Sequence, residues 1–179
     1  MIPQRFVIRG YLHRHKSAVK RLTEETFGPA HHKRSVWNLR KAKPIIRLGL
    51  IVEDMNMESF DNYGQNGRIV GSLQFWPIRI AEYPSLLLGP LAVKEHLRGL
   101  GVGRLLIEES LKKIQKSNWH FCIVSGEPDY YPKFGFKPIP KNLIWPGPIE
   151  RQRLHYINLG YSKLETLSNG PLHILSEIS

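Results

Sequence analysis

The order of apolar and polar positions divides the chain into elements. "RFVIRG" reads as a short strand, and "LHRHKSAVKRLTEETFG" places Leu12, Ala18, Val19, Leu22 and Phe27 at helical spacing before closing on Gly28. Residues 29–47 are basic and weakly periodic, with a second short helix expected around "SVWNLRKA" before Pro44 stops it. "LGLIVED" and "GRIVGSLQFWPIRIA" predict two antiparallel strands, separated by "MNMESFDNYGQN", whose Asn, Asp and Gly content marks a turn or loop.

The next segment, "SLLLGPLAV", is apolar throughout, which predicts a strand buried on both faces in the middle of a sheet. Proline donates nothing to a sheet ladder, so Gly89-Pro90 predicts a bulge or a place where pairing opens. From Gly101 to Lys116 the pattern is helical, with Val102, Leu106, Ile107, Ser110 and Ile114 on one face. Arg104, Glu108, Lys112 and Gln115 lie opposite, with Glu108 and Lys112 spaced as an i,i+4 ion pair. "WHFCIVSG" follows as a buried strand. Strand, helix and strand over residues 86–126 make a βαβ unit with two parallel strands and a right-handed crossover. "EPDYYPKFGF" predicts one helical turn and a bend, and "RLHYINL" a late strand.

Composition narrows the class without naming a function. A chain of 179 residues with 41% hydrophobic and 23% charged residues fits one globular domain, residues 1–179. Its single cysteine, Cys122, forms no internal disulfide, and alternation in "HFCIVSG" makes it a small core residue. The N-terminal segment lacks the apolar stretch of a secretion signal, and the apolar run Leu86–Val93 is less than half of the about 20 residues a membrane span needs. A cytoplasmic protein with no membrane partner is expected. The net charge of +11 is uneven: residues 1–50 hold 12 Lys/Arg against Glu24 and Glu25 alone. Such a face attracts anionic partners, whether nucleic acid, an acidic protein or a small polyphosphate, or simply keeps the chain in solution.

The glycine run in "HLRGLGVGRLL" decides among these. Gly99, Gly101 and Gly103 stand directly before the best helix, where glycine weakens the helix start. A Walker A loop has no match anywhere in the chain. The dinucleotide fingerprint G-x-G-x-x-G fails as well, ending on Arg104 when counted from Gly99 and on Leu106 when counted from Gly101. A helix N-terminus still offers unpaired N–H groups and a favourable dipole to an anion, and the glycines allow close approach.

The arrangement Arg98-x-x-Gly101-x-Gly103, with a strand before and a helix after, resembles the R/Q-x-x-G-x-G/A pattern of the GNAT superfamily of N-acetyltransferases. "LLLGPLAVKEHLRGLGVGRLLIEESL", "IVSGEPDYYPKFGF" and "WPGPIERQRL" are similar to a bacterial group of uncharacterised GNAT acetyltransferases, most densely over residues 86–137. The resemblance implies an α/β (α+β) GNAT fold: a mixed sheet of about 6–7 strands, flanked by helices, with a splayed parallel pair at its centre. It implies acetyl-CoA as cosubstrate. Arg98, Gly99, Leu100, Gly101, Val102, Gly103 and Arg104 would hold the pyrophosphate, and the main chain of Leu91, Ala92 and Val93 would meet the pantetheine arm.

The same resemblance implies direct attack of a primary amine, from a small molecule or peptide, on the thioester. By position Tyr131 is the acid for the departing thiolate. Pro132 after Tyr131 departs from the glycine common in relatives and disfavours the α region before it, so the turn is expected to end at Tyr131, and Tyr130 stays an alternative. Glu53 ends a central strand while His96 and Glu127 flank the cofactor segments, and none is singled out as base. His13/His15 and His31/His32 have no carboxylate or cysteine at ligand spacing, so they read as solvated members of the basic face and no metal is expected. "LIWPGPIER" walls the acceptor pocket or merely connects strands. A nucleic-acid-binding module on the basic N-terminal residues would want aromatics interleaved, and only Phe6, Tyr11, Phe27 and Trp37 are there. A CoA-binding fold without catalysis, and a homodimer, stay open.

Overall fold

A computed structural model describes residues 5–57, 68–167 and 170–176. Among these residues the elements are β1 (Phe6–Gly10), α1 (Lys16–Phe27), β2 (Leu50–Asp54), β3 (Ile69–Ile80), β4 (Tyr83–Val93), α2 (Val102–Ile114), β5 (Phe121–Ser125), β6 (Lys137–Pro138), β7 (Leu143–Ile144), β8 (Leu154–Asn158) and β9 (Leu172–Ser176). Most of the predicted loop between β2 and β3, residues 58–67, lies outside the described residues.

The strands run in the order β1-β2-β3-β4-β5-β8-β6, with β9 paired to the far end of β3 and β7 paired to β9. β4 and β5 are parallel, as predicted, and β2 and β3 are antiparallel. The sheet is mixed and the class α+β. Among the described residues it has nine strands rather than six or seven, because β6 and β7 are two residues each, too short to show a period of two, and β9 adds a further short strand.

Alternation along the strands builds two faces. Leu50 and Val52 of β2, Leu86 and Leu88 of β4, and Cys122 and Val124 of β5 join a cluster under α2, which contributes Val102, Leu106, Ile107 and Ile114. Their neighbours point the other way. Ile51 meets Ala18, Val19 and Leu22 of α1, while Leu87 and Ile123 pack with Leu39, Ile78 and Trp145. Each aliphatic side chain so buried contributes about 1.5–3 kcal/mol, which is how a two-residue period becomes a layered fold.

Three local expectations change. The segment around "SVWNLRKA" is a 3-10 turn, Ser35–Leu39, rather than an α-helix; its weak periodicity leaves Leu39 as its one fully buried anchor. His15 is buried, not solvated, and accepts the Leu12 N–H on Nδ1 at 3.1 Å, closing the turn ahead of α1. On α2, Glu108 pairs with Arg104 at 2.7 Å, so Lys112 takes Glu109 at 2.5 Å instead.

Candidate functional site

The site begins where the central pair parts. β4 and β5 are in register from Ser85↔Phe121 to Leu88↔Val124, and no pairing continues beyond. On the other edge, Leu73 faces Leu91 whereas Phe75 faces Leu88, so β4 carries one residue more than β3 in the Gly89-Pro90 stretch. That bulge reverses the alternation: Ala92 packs with α1, although Leu86 and Leu88 pack with α2. Leu91 and Val93 face a cavity of about 810 Å³ that fills the gap, while Ala92 is fully buried. Among the described residues, the β5-facing main-chain groups of residues 89–93 have no strand partner.

At one end of the cavity stands the glycine run. Gly99 and Gly101 both have φ in the left-handed region, +82° and +86°, and Gly101 caps α2. The first hydrogen bond of α2 is donated by the Leu105 N–H to the Gly101 carbonyl at 2.9 Å. The N–H groups of residues 102–104 therefore have no partner inside the helix and form an anion cradle at its positive end. Gly103 is a matter of space: a Cβ there would stand 2.7 Å from the Tyr130 hydroxyl. Arg98, Gly99 and Gly103 line the cavity. Leu100 is 53% exposed on the cradle turn, Val102 is buried beneath it, and Arg104 faces solvent in its pair with Glu108.

The two tyrosines separate cleanly. The turn after β5 runs Tyr131–Phe134, so it begins at Tyr131 rather than ending there; Pro132 is accommodated in its first positions, where no N–H is required of it. Tyr130 sends its hydroxyl to Gly103, the cradle end. The Tyr131 ring is 6% exposed and lies on Gly126, directly after β5, so closely that a Cβ on Gly126 would fall 2.0 Å from its Cε2. Burial pushes the Tyr131 phenol well above its ordinary value, with Tyr130 and Cys122 adding to the shift and Arg153 opposing it. Both rings line the cavity.

The opposite end is built from side chains. His31, Arg34, Trp37 and Arg40 come from the basic segment after α1, and Glu127, Glu150 and Arg153 from the strand connections. The "LIWPGPIER" loop walls the cavity through Glu150, while Trp145 itself is buried and donates from Nε1 to Ser35 Oγ at 3.2 Å, pinning the Ser35–Leu39 turn. His31 thus lines the site instead of joining a solvated face; its Nδ1 is 2.7 Å from the Gly28 carbonyl. Glu127, beside the second strand of the parallel pair, lines the cavity in a pair with Arg153 at 2.9 Å, whereas Glu53, near the end of β2, is bound to Arg9 at 2.6 Å. Arg40 was not foreseen. The available signal was Trp37-x-x-Arg40, a ring and a cation one turn apart: the guanidinium carbon sits 4.2 Å from the Trp37 ring centre.

Among the described residues no cluster of three or more His, Cys, Asp or Glu is placed to hold a metal ion, and no helix is long and apolar enough to cross a membrane.

Comparison with known proteins agrees with this geometry. Residues 61–138 match the family described as the acetyltransferase (GNAT) domain. The uncharacterised N-acetyltransferase YhbS of Escherichia coli K12 is 27% identical over 115 residues, 59% of this chain and 69% of that protein. YjhQ of the same organism, another uncharacterised N-acetyltransferase, is 34% identical over 62 residues, 35% of this chain and 34% of its own length. In fold, the chain resembles the crystal structure of E. coli YhbS in complex with CoA, with a TM-score of 0.73 at 22% identity, covering 97% of this chain and 92% of that one. A GNAT acetyltransferase from Brucella melitensis, solved with acetyl-CoA, gives 0.63 at 23% identity, covering 93% and 94%. The opened parallel pair and the glycine-capped helix both lie within residues 61–138, the stretch that is similar to the acetyltransferase (GNAT) domain.

Proposed function

We propose that the chain, residues 1–179 acting as one domain, moves acetyl from acetyl-CoA to a primary amine of a small molecule or peptide by direct attack. One observation supports this reading above the others: a single cavity runs from the orphan N–H groups of α2 along the opened edge of β4 to a buried phenol. The cradle fits a pyrophosphate, since Gly103 leaves the room that a side chain would fill and Arg98 adds a cation. The N–H groups of residues 102–104 would hold the phosphates, with Gly99, Leu100 and Gly101 shaping the turn beneath them and Arg104 free to join once it leaves Glu108. The open main chain of Leu91, Ala92 and Val93 would hydrogen-bond the pantetheine amides and polarise the thioester carbonyl. Acetyl-CoA would supply the acetyl group as its thioester, leaving CoA.

In the reaction, the amine lone pair forms the new C–N bond, the C–S bond breaks, and the thiolate takes a proton. Tyr131 suits that last role better than Tyr130. It lies at the parting of β4 and β5, the transfer end, whereas the Tyr130 hydroxyl sits over the phosphate end. The raised phenol stays protonated through the working range, as a proton donor must. Glu127, which lines the cavity in its pair with Arg153, would receive the amine proton through water.

Tyr131→Phe is expected to lower kcat by about 10²–10⁴-fold while acetyl-CoA still binds by calorimetry. Turnover unchanged in that variant would remove Tyr131 from the mechanism. No binding of CoA or acetyl-CoA to the wild type at all would overturn acetyl transfer itself.

A further inference from the structure

Resting on the acetyl-transfer reading above, a second question concerns what the cavity demands of its acceptor. Arg40 is the feature that the chemistry so far does not use. Its Nε is buried and has no hydrogen-bond partner, and among the described residues no carboxylate or carbonyl pairs with its guanidinium. The two acidic side chains at the cavity wall are engaged elsewhere, Glu127 with Arg153 at 2.9 Å and Glu150 with Gln152 at 3.3 Å. Burying an unpaired charged donor is costly unless something meets it. The guanidinium is nonetheless held in place, 4.2 Å from the Trp37 ring centre and 5.9 Å from that of Trp76, whose own Nε1 is also buried and unpartnered. Burial pulls Arg40 down to about 9, so it is a cation at neutral pH.

Its location excludes the CoA phosphates. A Cβ on Gly89 would stand 3.1 Å from Arg40 Nη2, which puts the guanidinium beside the parting of β4 and β5. The cradle is at the other end of the same edge, where a Cβ on Gly103 would lie 3.8 Å from Val93. Gly89 and Val93 are separated by about 10–13 Å of extended strand, so a pyrophosphate seated on α2 does not reach Arg40. The anion that does must come from the acceptor side, within a few bonds of the reacting nitrogen.

We propose that the acceptor is an amine that bears its own oxyanion, a carboxylate or a phosphonate, close to the nitrogen, and that Arg40 selects it. A planar fork of donors already fixed on an aromatic ring matches such a group in two-point contact, and it is preorganised because the turn that carries it is pinned by Trp145. Arg34, which also lines the cavity, reinforces the positive field.

The test is free-CoA release with matched acceptors at one pH: glycine and aminomethylphosphonate against methylamine, and phenylalanine against phenethylamine. The expected result is a kcat/KM about 10- to 100-fold higher for the oxyanion member of each pair, carried mainly by KM, the size of one hydrogen-bonded charged contact. Carboxylate and phosphonate arms show which oxyanion fits. In Arg40→Gln the preference collapses toward parity while the acetyl-CoA Kd stays put, and Arg40→Lys restores part of it. The proposal is overturned if the neutral amines are equal or better in the wild type, or if Arg40→Gln weakens both members of a pair alike. Should no member turn over although acetyl-CoA binds, calorimetry of the panel on CoA-saturated protein decides: oxyanion binding lost in Arg40→Gln upholds the assignment, and its absence in the wild type refutes it. Failure to bind acetyl-CoA would instead refute acetyl transfer.

Discussion

The two ends of the cavity are made of different material. At the proposed phosphate end the groups on offer are the main-chain N–H groups of residues 102–104, shaped by left-handed glycines and a helix start. At the end proposed for the acceptor they are side chains from three separated segments, brought together by a pinned 3-10 turn and a proline-rich loop. A site made of backbone is local, so few positions determine it and adding atoms is what damages it. A site made of side chains depends on long-range packing and is damaged by taking atoms away.

The sharpest way to break this contrast is at Gly126, where the two ends meet. Gly126→Ala places a Cβ 2.0 Å from Tyr131 Cε2, and the Tyr131 ring, packed against Phe136 and His155, has little room to retreat. Overpacking of this kind costs about 1–3 kcal/mol, and turnover should fall with it as the phenol leaves the transfer point. Denaturant midpoints and steady-state kinetics measure the two losses. A variant with wild-type stability and rate would show that Tyr131 is not locked where it lies.

Gly103→Ala separates affinity from stability. Alanine favours a helix over glycine by about 0.5–1 kcal/mol, so α2 itself should not weaken. The new Cβ crowds the far end of Tyr130, which can swing, and makes an ordinary contact with Val93, but it then occupies the cradle mouth. Acetyl-CoA affinity is expected to drop about tenfold, the equivalent of one phosphate hydrogen bond, with the melting temperature level or slightly raised. Loss of stability with affinity intact would reverse the assignment of that glycine.

The same contrast explains what could be read in the sequence. The β4–α2–β5 unit, the buried face Val102, Leu106, Ile107, Ser110 and Ile114, and the break at Gly89-Pro90 were legible because each is a local pattern in consecutive residues. Strand alternation also foretold Cys122 as core, and it is fully buried. The side-chain wall of the cavity was not legible. Residues 31–40 have no sustained period, and their positions are set by Trp145, more than a hundred residues away in the chain. His15 and His31 were misjudged for a related reason: each is defined by a backbone partner, the Leu12 N–H and the Gly28 carbonyl, which no composition reveals. Short strands such as β6 and β7 are set by their neighbours rather than by their own two residues.

Arg104 offers the mildest and most discriminating check on a backbone-built cradle. By sequence it looks like a phosphate ligand, yet its side chain is 73% exposed and held by Glu108 at 2.7 Å. An exposed i,i+4 pair is worth about 0.3–0.5 kcal/mol, and using Arg104 on a phosphate means giving that pair up. Arg104→Ala should therefore shift stability by no more than about 0.5 kcal/mol and weaken acetyl-CoA by less than about threefold. Arg98, which lines the cavity, sets the reference: Arg98→Ala should weaken acetyl-CoA more than Arg104→Ala does, by calorimetry at matched ionic strength. If Arg104→Ala proved the more damaging of the two, the cradle would depend on side-chain charge after all, and the two ends of the cavity would be alike.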